Sequence, residues 1–145
     1  MRPLTAPVAG LPESVADARP VTVLIVEDDP DLAYLLGRLL AREGFATIEA
    51  NDGKRAAELI EQTAHVDLAL LDVMLPYRDG FSLIDPIRAR WPDAAVVMLT
   101  ARINERDIVK GFKCGVDDYI GKPFQPAELI ARVGRHLRKR KKTSA

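Results

Sequence analysis

Acidic, hydroxyl and basic side chains stand at the ends of short apolar runs, and together they could transfer a phosphoryl group. Glu27-Asp28-Asp29 follows one run, Asp72 closes a second, Thr100 follows a third and Lys122 follows a fourth. Crowded carboxylates repel one another, and a hard divalent cation such as Mg²⁺ relieves that repulsion. A carboxylate can also act as a nucleophile, while a lysine and a hydroxyl can each bind a phosphoryl oxygen. The set predicts a small acidic metal pocket with phosphoryl chemistry.

Apolar runs alternate with amphipathic helical patterns along the chain. The predicted strands are 21–26, 45–50, 67–72, 94–99 and 118–121, and the predicted helices are 30–42, 54–62, 80–90, 104–114 and 125–140. Nearly continuous apolar strands are typical of a sheet buried on both faces. The alternation predicts an α/β fold with five parallel strands, doubly wound as (βα)5. The carboxyl ends of the strands share one edge, so the loops that carry the polar residues should meet there.

Local signals mark several helix ends. Asp29 is a predicted N-cap, with Pro30 at the first helical position, and the leucines 32, 35, 36, 39 and 40 predict the buried face of that helix. Pro86 lies inside the third helical pattern, where it removes a hydrogen bond and clashes with the preceding turn. We therefore expect a kink there, or a regular helix that begins later than residue 80.

Length and composition predict one soluble domain. The chain has 145 residues, 48% hydrophobic and 29% charged, and no apolar stretch approaches the roughly 18 residues of a membrane span. We expect a flexible leader at 1–20, a compact domain at 21–138 and a basic tail or linker at 139–145. The single cysteine, Cys114, cannot form an internal disulfide, which fits a cytoplasmic protein.

The formal charge of zero conceals an asymmetry. Seven Lys and Arg residues and no acidic residue lie in 132–145, which leaves 14 basic against 21 acidic residues before it. Cations at the end of a helix complement the helix dipole, which accounts for part of this run. The dense segment 138–142 could instead be a linker or a weak contact with a nucleic acid or a membrane surface.

The sequence resembles the receiver domain of bacterial two-component response regulators over about residues 21–137. The resemblance rests on Val26-Glu27-Asp28-Asp29, Leu71-Asp72-Val73-Met74-Leu75-Pro76, Asp79-Gly80, Leu99-Thr100-Ala101, Gly115-Val116-Asp117-Asp118-Tyr119 and Lys122-Pro123-Phe124. It implies the receiver fold with strand order 2-1-3-4-5. It also implies a phosphorylation switch that controls an output or a partner, with slow self-hydrolysis rather than metabolic catalysis.

The resemblance assigns a role to each residue of the pocket. Asp72 matches the phosphoacceptor, and Lys122 matches the lysine that pairs with it or with its phosphoryl group. Asp28, Asp72 and the carbonyl of Met74 match the ligands of Mg²⁺, for which Mn²⁺ can substitute, and Glu27 matches an acid that acts through water. The implied phosphoryl donor is a sensor histidine kinase or a phosphotransfer protein.

The resemblance also implies a conformational switch. Thr100 and Tyr119 match a hydroxyl and an aromatic residue that move together when the phosphoryl group arrives. Their movement would change the surface made by the fourth helix, the fifth strand and the fifth helix.

Three charges near this surface match residues of the winged-helix OmpR/PhoB class, which uses them in dimer salt bridges. They are Asp118, Glu128 and Arg132, whereas Ile108 and Gly134 occupy positions that are usually or often basic in that class. We therefore expect a homodimer that forms on phosphorylation, but without the salt bridges that basic residues at positions 108 and 134 would make. DNA would be bound only through an output domain that is not present in this chain, and no membrane contact is expected.

Three other functions compete with this interpretation. A phosphatase with an aspartyl-phosphate intermediate usually needs a second acid two residues after the nucleophile, where this chain has Met74. A flavodoxin-like electron carrier must cradle a phosphate in its first loop, which Glu27-Asp28-Asp29 would repel. A pseudo-receiver that only binds partners would not need the full set of acids, hydroxyl and lysine.

Overall fold

A central parallel sheet organises the chain. The computed structural model describes residues 19–101 and 104–144. The strands are β1 (Thr22–Val26), β2 (Ala46–Ala50), β3 (Leu68–Asp72), β4 (Ala95–Thr100) and β5 (Asp118–Gly121). All four pairings are parallel, and the order is β2-β1-β3-β4-β5. The predicted strand order and α/β class are confirmed.

Helices cover both faces of the sheet. They are α1 (Pro30–Arg42), α2 (Gly53–Gln62), α3 (Ile84–Arg90), which a 3₁₀ turn (Gly80–Leu83) precedes, α4 (Glu105–Cys114) and α5 (Pro126–Ser144). Leu36 of α1 and Val133 of α5 pack in one apolar core, whereas Ile60 of α2 and Ile87 of α3 pack in the other. The strands supply both cores because their side chains alternate between the two faces. The described chain is therefore doubly wound, as predicted.

Helix α1 begins and ends where the local signals predict. The Asp29 side chain accepts hydrogen bonds from the backbone N–H groups of Asp31 and Leu32. The chain leaves the helix through Gly44, whose φ of 88° favours glycine. One part of the predicted buried face is wrong: Leu35 is exposed, and Ala33 is buried in its place. The buried face follows residues 33, 36 and 40, which have helical spacing and leave Leu35 outside.

Pro86 has the effect expected from its chemistry. The regular helix α3 begins at Ile84, and the preceding residues form a 3₁₀ turn capped by Asp79. Pro86 is then the third residue of the α-helix, within the first turn, where no intrahelical N–H donor is needed. The later helix start, rather than a kink, is the solution that the chain adopts.

The C-terminal helix is longer than predicted. It runs to Ser144, whereas the pattern predicted an end near residue 140. Arg and Lys are good helix formers, and their charges are favourable near a helix C-terminus, so the basic run can continue the helix. The predicted flexible leader falls almost wholly on residues 1–18, which lie outside the described residues, as do 102, 103 and 145. Among the helices that are described, none is long and apolar enough to cross a bilayer.

Candidate phosphoacceptor site

The register of the sheet brings the predicted acidic residues together. Val26 pairs with Leu71, so Glu27 and Asp72 follow side by side at the carboxyl ends of β1 and β3. The backbone N–H of Glu27 also donates to the carbonyl of Ala50 on β2 (3.0 Å). Glu27 therefore lies at the carboxyl end of β1, between the carboxyl ends of the neighbouring strands β2 and β3.

Glu27, Asp28 and Asp72 form an acidic cluster. One carboxylate oxygen from each lies within 4.8 Å of the others. Glu27 and Asp72 are buried (1% and 6% exposed), whereas Asp28 is exposed to solvent. Asp29 is outside this cluster because its side chain caps α1. The predicted division between Asp28 in the pocket and Asp29 at the helix end agrees with this geometry.

Lys122 reaches into the cluster from the end of β5. Its Nζ donates a hydrogen bond to Asp72 Oδ2 (2.8 Å) and lies 2.7 Å from Glu27 Oε1. The Lys122 N–H donates to the carbonyl of Thr100 (2.9 Å), which fixes the backbone at the strand end. The Lys122–Pro123 peptide bond is cis. Burial opposes the charge of Lys122, but the hydrogen bond to Asp72 and the ion pair with Glu27 raise its pKa, so it stays protonated.

Glu27 is the least satisfied acid of the pocket. The ion pair of its Oε1 with Lys122 lacks hydrogen-bond alignment, and this oxygen is the buried side-chain atom without a hydrogen-bond partner among the described residues. Burial raises the pKa of Glu27, although Lys122 and the N–H of Asp29 act in the opposite direction. Three carboxylates face one ammonium group, and all are hard oxygen donors. The residues therefore fit Mg²⁺, which prefers such ligands.

The loop after β3 holds the Asp72 carboxylate in place. Oδ1 of Asp72 accepts a hydrogen bond from the N–H of Met74 (3.0 Å). The Gly80 N–H donates to the carbonyl of Val73 (2.7 Å), and a Cβ on Gly80 would overlap the Asp72 carbonyl. Glycine is thus required for the loop to fold back onto the strand end. Gly80 was part of a recognised motif in the sequence, but its role in positioning Asp72 was not predicted.

A second glycine anchors the far side of this loop. The Gly53 N–H donates to the carbonyl of Pro76 (3.1 Å), and a Cβ on Gly53 would lie 2.6 Å from Arg78 Cβ. Tyr77 adopts a φ of 72° and is 80% exposed. A shallow cleft of about 480 Å³ opens beside this loop, lined by Asp28, Val73, Met74, Leu75, Pro76, Asp79 and Phe81. The acidic cluster is therefore reachable from solvent past Asp28.

The predicted switch residues share one face of the sheet. Tyr119 on β5 pairs with Met98, and Thr100 lies two residues further along β4, on the same face as Met98. Thr100 is buried, and Tyr119 is half-buried. The Tyr119 hydroxyl donates to the Asp107 carbonyl on α4 (2.7 Å), and its ring meets the edge of Phe112 with centroids 5.6 Å apart. Burial raises the pKa of the Tyr119 hydroxyl.

The three charges assigned to a dimer surface pair within the chain. Arg132 Nη1 lies 3.1 Å from both carboxylate oxygens of Asp118, and Arg132 Nε lies 3.1 Å from Glu128. His136, which sequence reasoning gave no chemical role, is buried with Nε2 3.0 Å from Asp118 Oδ2. Burial opposes the charge of Asp118, but the contacts with His136 and Arg132 prevail and lower its pKa. Helical spacing alone could have suggested the pair Arg132 and His136, but not their common partner on β5.

Comparison with known sequences identifies relatives. The sequence model of the response regulator receiver domain matches residues 23–134. The transcriptional regulatory protein CpxR of Escherichia coli (strain K12) is 44% identical over 117 residues, which cover 81% of this chain and 49% of that protein. The DNA-binding response regulator MtrA of Mycolicibacterium smegmatis is 43% identical over 117 residues, which cover 81% of this chain and 50% of that protein. The chain thus spans about half the length of these relatives.

A solved structure has the same architecture. The CheY-like response regulator receiver domain protein of Methanospirillum hungatei JF-1 superposes with a TM-score of 0.81 and 26% sequence identity. The superposition covers 86% of this chain and 99% of that one. Both kinds of comparison therefore lead to one family.

Proposed function

The chain belongs to the response regulator receiver family, and we propose that it accepts a phosphoryl group on Asp72 in a reaction that depends on Mg²⁺. The observation that carries the proposal is the position of Asp72. This carboxylate is 6% exposed, lies within the acidic cluster and accepts a hydrogen bond from Lys122. A buried carboxylate with a fixed cation and an open cleft beside it is suited to attack on phosphorus.

The reaction that we propose takes the phosphoryl group from a phosphohistidine of a sensor kinase or phosphotransfer protein. A carboxylate oxygen of Asp72 attacks phosphorus, a P–O bond forms and the P–N bond breaks. The electron pair of the broken bond stays on the histidine nitrogen, which takes up a proton from solvent. Lys122 stays charged through this step and can pair with an oxygen of the transferred group, because its pKa is raised.

The metal site proposed here uses residues whose chemistry suits it. Asp28 and Asp72 would bind Mg²⁺ through carboxylate oxygens, the Met74 carbonyl would be a third ligand, and Glu27 would act through water. When bound, the ion supplies positive charge against the phosphoryl oxygens. The exposed position of Asp28 at the cleft and the unsatisfied oxygen of Glu27 support this assignment.

Phosphorylation would be read out at the surface of α4, β5 and α5. Thr100 would move to bind a phosphoryl oxygen, and Tyr119 would turn toward the space that it leaves. The relatives are named as transcriptional and DNA-binding regulators. We propose that the chain is of the OmpR/PhoB class and acts in the cytoplasm, and that DNA binding would need an output domain beyond the receiver. Slow hydrolysis of the acyl phosphate would reset the switch.

The proposal is tested by loading the protein chemically. Incubation with acetyl phosphate and Mg²⁺ should add the mass of one phosphoryl group to the intact protein, and EDTA should prevent the gain. Asp72→Asn should gain nothing, whereas the matched variant Asp85→Asn, on the exposed side of α3, should still react. A protein that never gains the group with the metal present would instead be a pseudo-receiver.

A further inference from the structure

The hydroxyl of Tyr119 sits in a notch in helix α4. Gly111 is buried in the middle of α4, and a Cβ built on it would overlap the Tyr119 hydroxyl and lie 2.7 Å from Cζ of the ring. In that position the hydroxyl donates to the carbonyl of Asp107, one turn earlier on the same helix (2.7 Å). The notch exists only because residue 111 has no side chain.

The environment of Gly111 differs from that of Gly37 and Gly134, two other glycines that lie within helices. A Cβ on Gly134 in α5 would meet only the tip of the Arg138 side chain, and a Cβ on Gly37 in α1 would meet only the carboxylate of Glu49. Both neighbours are ends of flexible side chains that can move away. The Tyr119 ring is less free, because its hydroxyl is hydrogen-bonded and its ring packs on Phe112. Glycine costs up to about 1 kcal/mol relative to alanine inside a helix, so this position carries a penalty that the seated hydroxyl can explain.

We propose that Gly111 is a positioning residue for the switch: its notch seats the Tyr119 hydroxyl and thereby holds the ring in the resting orientation. The inference rests on the proposed function, in which Tyr119 turns toward Thr100 when Asp72 is phosphorylated. Turning the ring takes the hydroxyl away from the Asp107 carbonyl. The notch therefore opposes activation, because phosphoryl binding must supply the free energy to break the hydrogen bond between Tyr119 and Asp107.

A methyl group at residue 111 should shift this balance. It would occupy the place of the hydroxyl, so the resting orientation would lose its hydrogen bond while the turned orientation would lose nothing. A ligand that binds the turned orientation should then bind more tightly, because less of its binding free energy is used to move the ring. The expected gain is about threefold to tenfold, the effect of one hydrogen bond of ordinary net strength.

The test combines a local probe with a binding measurement. 3-Fluorotyrosine labels three tyrosines, of which Tyr34 and Tyr77 are exposed, and Tyr119→Phe identifies the third ¹⁹F resonance. Beryllofluoride with Mg²⁺ serves as the phosphoryl mimic. Gly111→Ala should move the Tyr119 resonance toward its mimic-bound position without any mimic, and should tighten mimic binding. Gly134→Ala, the same change in helix α5, should do neither.

Tyr119→Phe provides a second variant should Gly111→Ala fail to fold. It keeps the ring, removes the donor to Asp107 and should also tighten mimic binding. An unmoved Tyr119 resonance or unchanged binding of the mimic in folded Gly111→Ala would overturn the role of the notch while the wild type still responds. If Gly111→Ala does not fold, unchanged binding of the mimic by Tyr119→Phe would overturn it. A wild type whose Tyr119 resonance ignores the mimic would overturn the proposed switch, and the notch inference with it.

Discussion

Lys122 and Asp72 make a 2.8 Å hydrogen bond, although another strand lies between the strands that position them. Asp72 ends β3, Lys122 follows β5, and β4 lies between them in the sheet. The same ammonium group lies 2.7 Å from Glu27 beyond β1, so one lysine serves two buried acids from different strands. With Asp28 added, the carboxylates outnumber the cation by three to one. The pocket therefore carries an excess of negative charge, which favours a divalent cation.

Removing Lys122 should destabilise the metal-free fold, because two buried acids lose their cation. We expect Lys122→Met to lose about 1–3 kcal/mol of unfolding free energy. Urea denaturation without metal measures it. Glu27→Gln should restore part of the loss in the Lys122→Met background. The exposed Lys54, changed to Met, is the control and should have little effect. Equal losses in the two lysine variants would contradict the role given to Lys122.

Asp28 and Asp29 should separate metal binding from folding. Asp28→Ala should weaken Mg²⁺ binding strongly and should stabilise the metal-free fold, because it removes one of several repelling carboxylates. Asp29→Ala should keep most of the metal affinity but should lose about 1 kcal/mol of stability with the cap of α1. Mg²⁺ titration followed by NMR, together with urea denaturation, measures both quantities. Equal losses of metal affinity would refute this division.

Asp118 should make stability depend on pH. Burial opposes the charge of this carboxyl, but the contacts with His136 and Arg132 lower its pKa in the folded state below the ordinary 3.8. A lowered pKa means that the stabilisation is complete above pH 3.8 and is lost as the pH falls through the folded value. Asp118→Asn should therefore lose about 1–2 kcal/mol at neutral pH, and its difference from the wild type should shrink in acid. Urea denaturation across pH 3–7 measures this difference, with the exposed Asp85→Asn as the control. A stability difference between Asp118→Asn and the wild type that does not change with pH would contradict the prediction.

Association should follow activation. We expect a monomer without phosphoryl mimic and more dimer with beryllofluoride and Mg²⁺, as measured by sedimentation. Exposed ion pairs contribute only about 0–1 kcal/mol each, and Arg132 already binds Asp118 and Glu128 within the chain. The gain should therefore come from apolar contacts near Tyr119, including Ile108, and should persist at high salt. A dimer of equal strength without the mimic would show that association is not the switch.

The sequence predicts an element closely where a local signal marks its end. Helix α1 spans the predicted residues because Asp29 and Pro30 determine its start, and the class of the fold follows from the alternation of strands and helices. The buried face of α1 was predicted less accurately. Four of the five predicted leucines are at least partly buried, but Leu35 is exposed. Which side of a helix meets the sheet is decided by tertiary packing rather than by the helix itself.

The acidic pocket could be predicted from the sequence because its residues lie at the ends of strands. Strand ends of a parallel sheet converge whatever the details, so Glu27, Asp28 and Asp72 had to approach one another. The contact of His136 with Asp118 and the seat of Tyr119 on Gly111 were not predicted. Each depends on the rotation and depth of a helix against the sheet, which spacing along the chain does not determine.

The identity of the acceptor is tested most directly by chemical trapping. Borohydride reduces an acyl phosphate to an alcohol, so a phosphorylated aspartate becomes homoserine and peptide mass spectrometry locates it. After loading with acetyl phosphate and Mg²⁺, homoserine should appear at residue 72 and nowhere else. Homoserine at Asp28 or Asp79, or none in a protein that has gained the phosphoryl mass, would contradict the central claim.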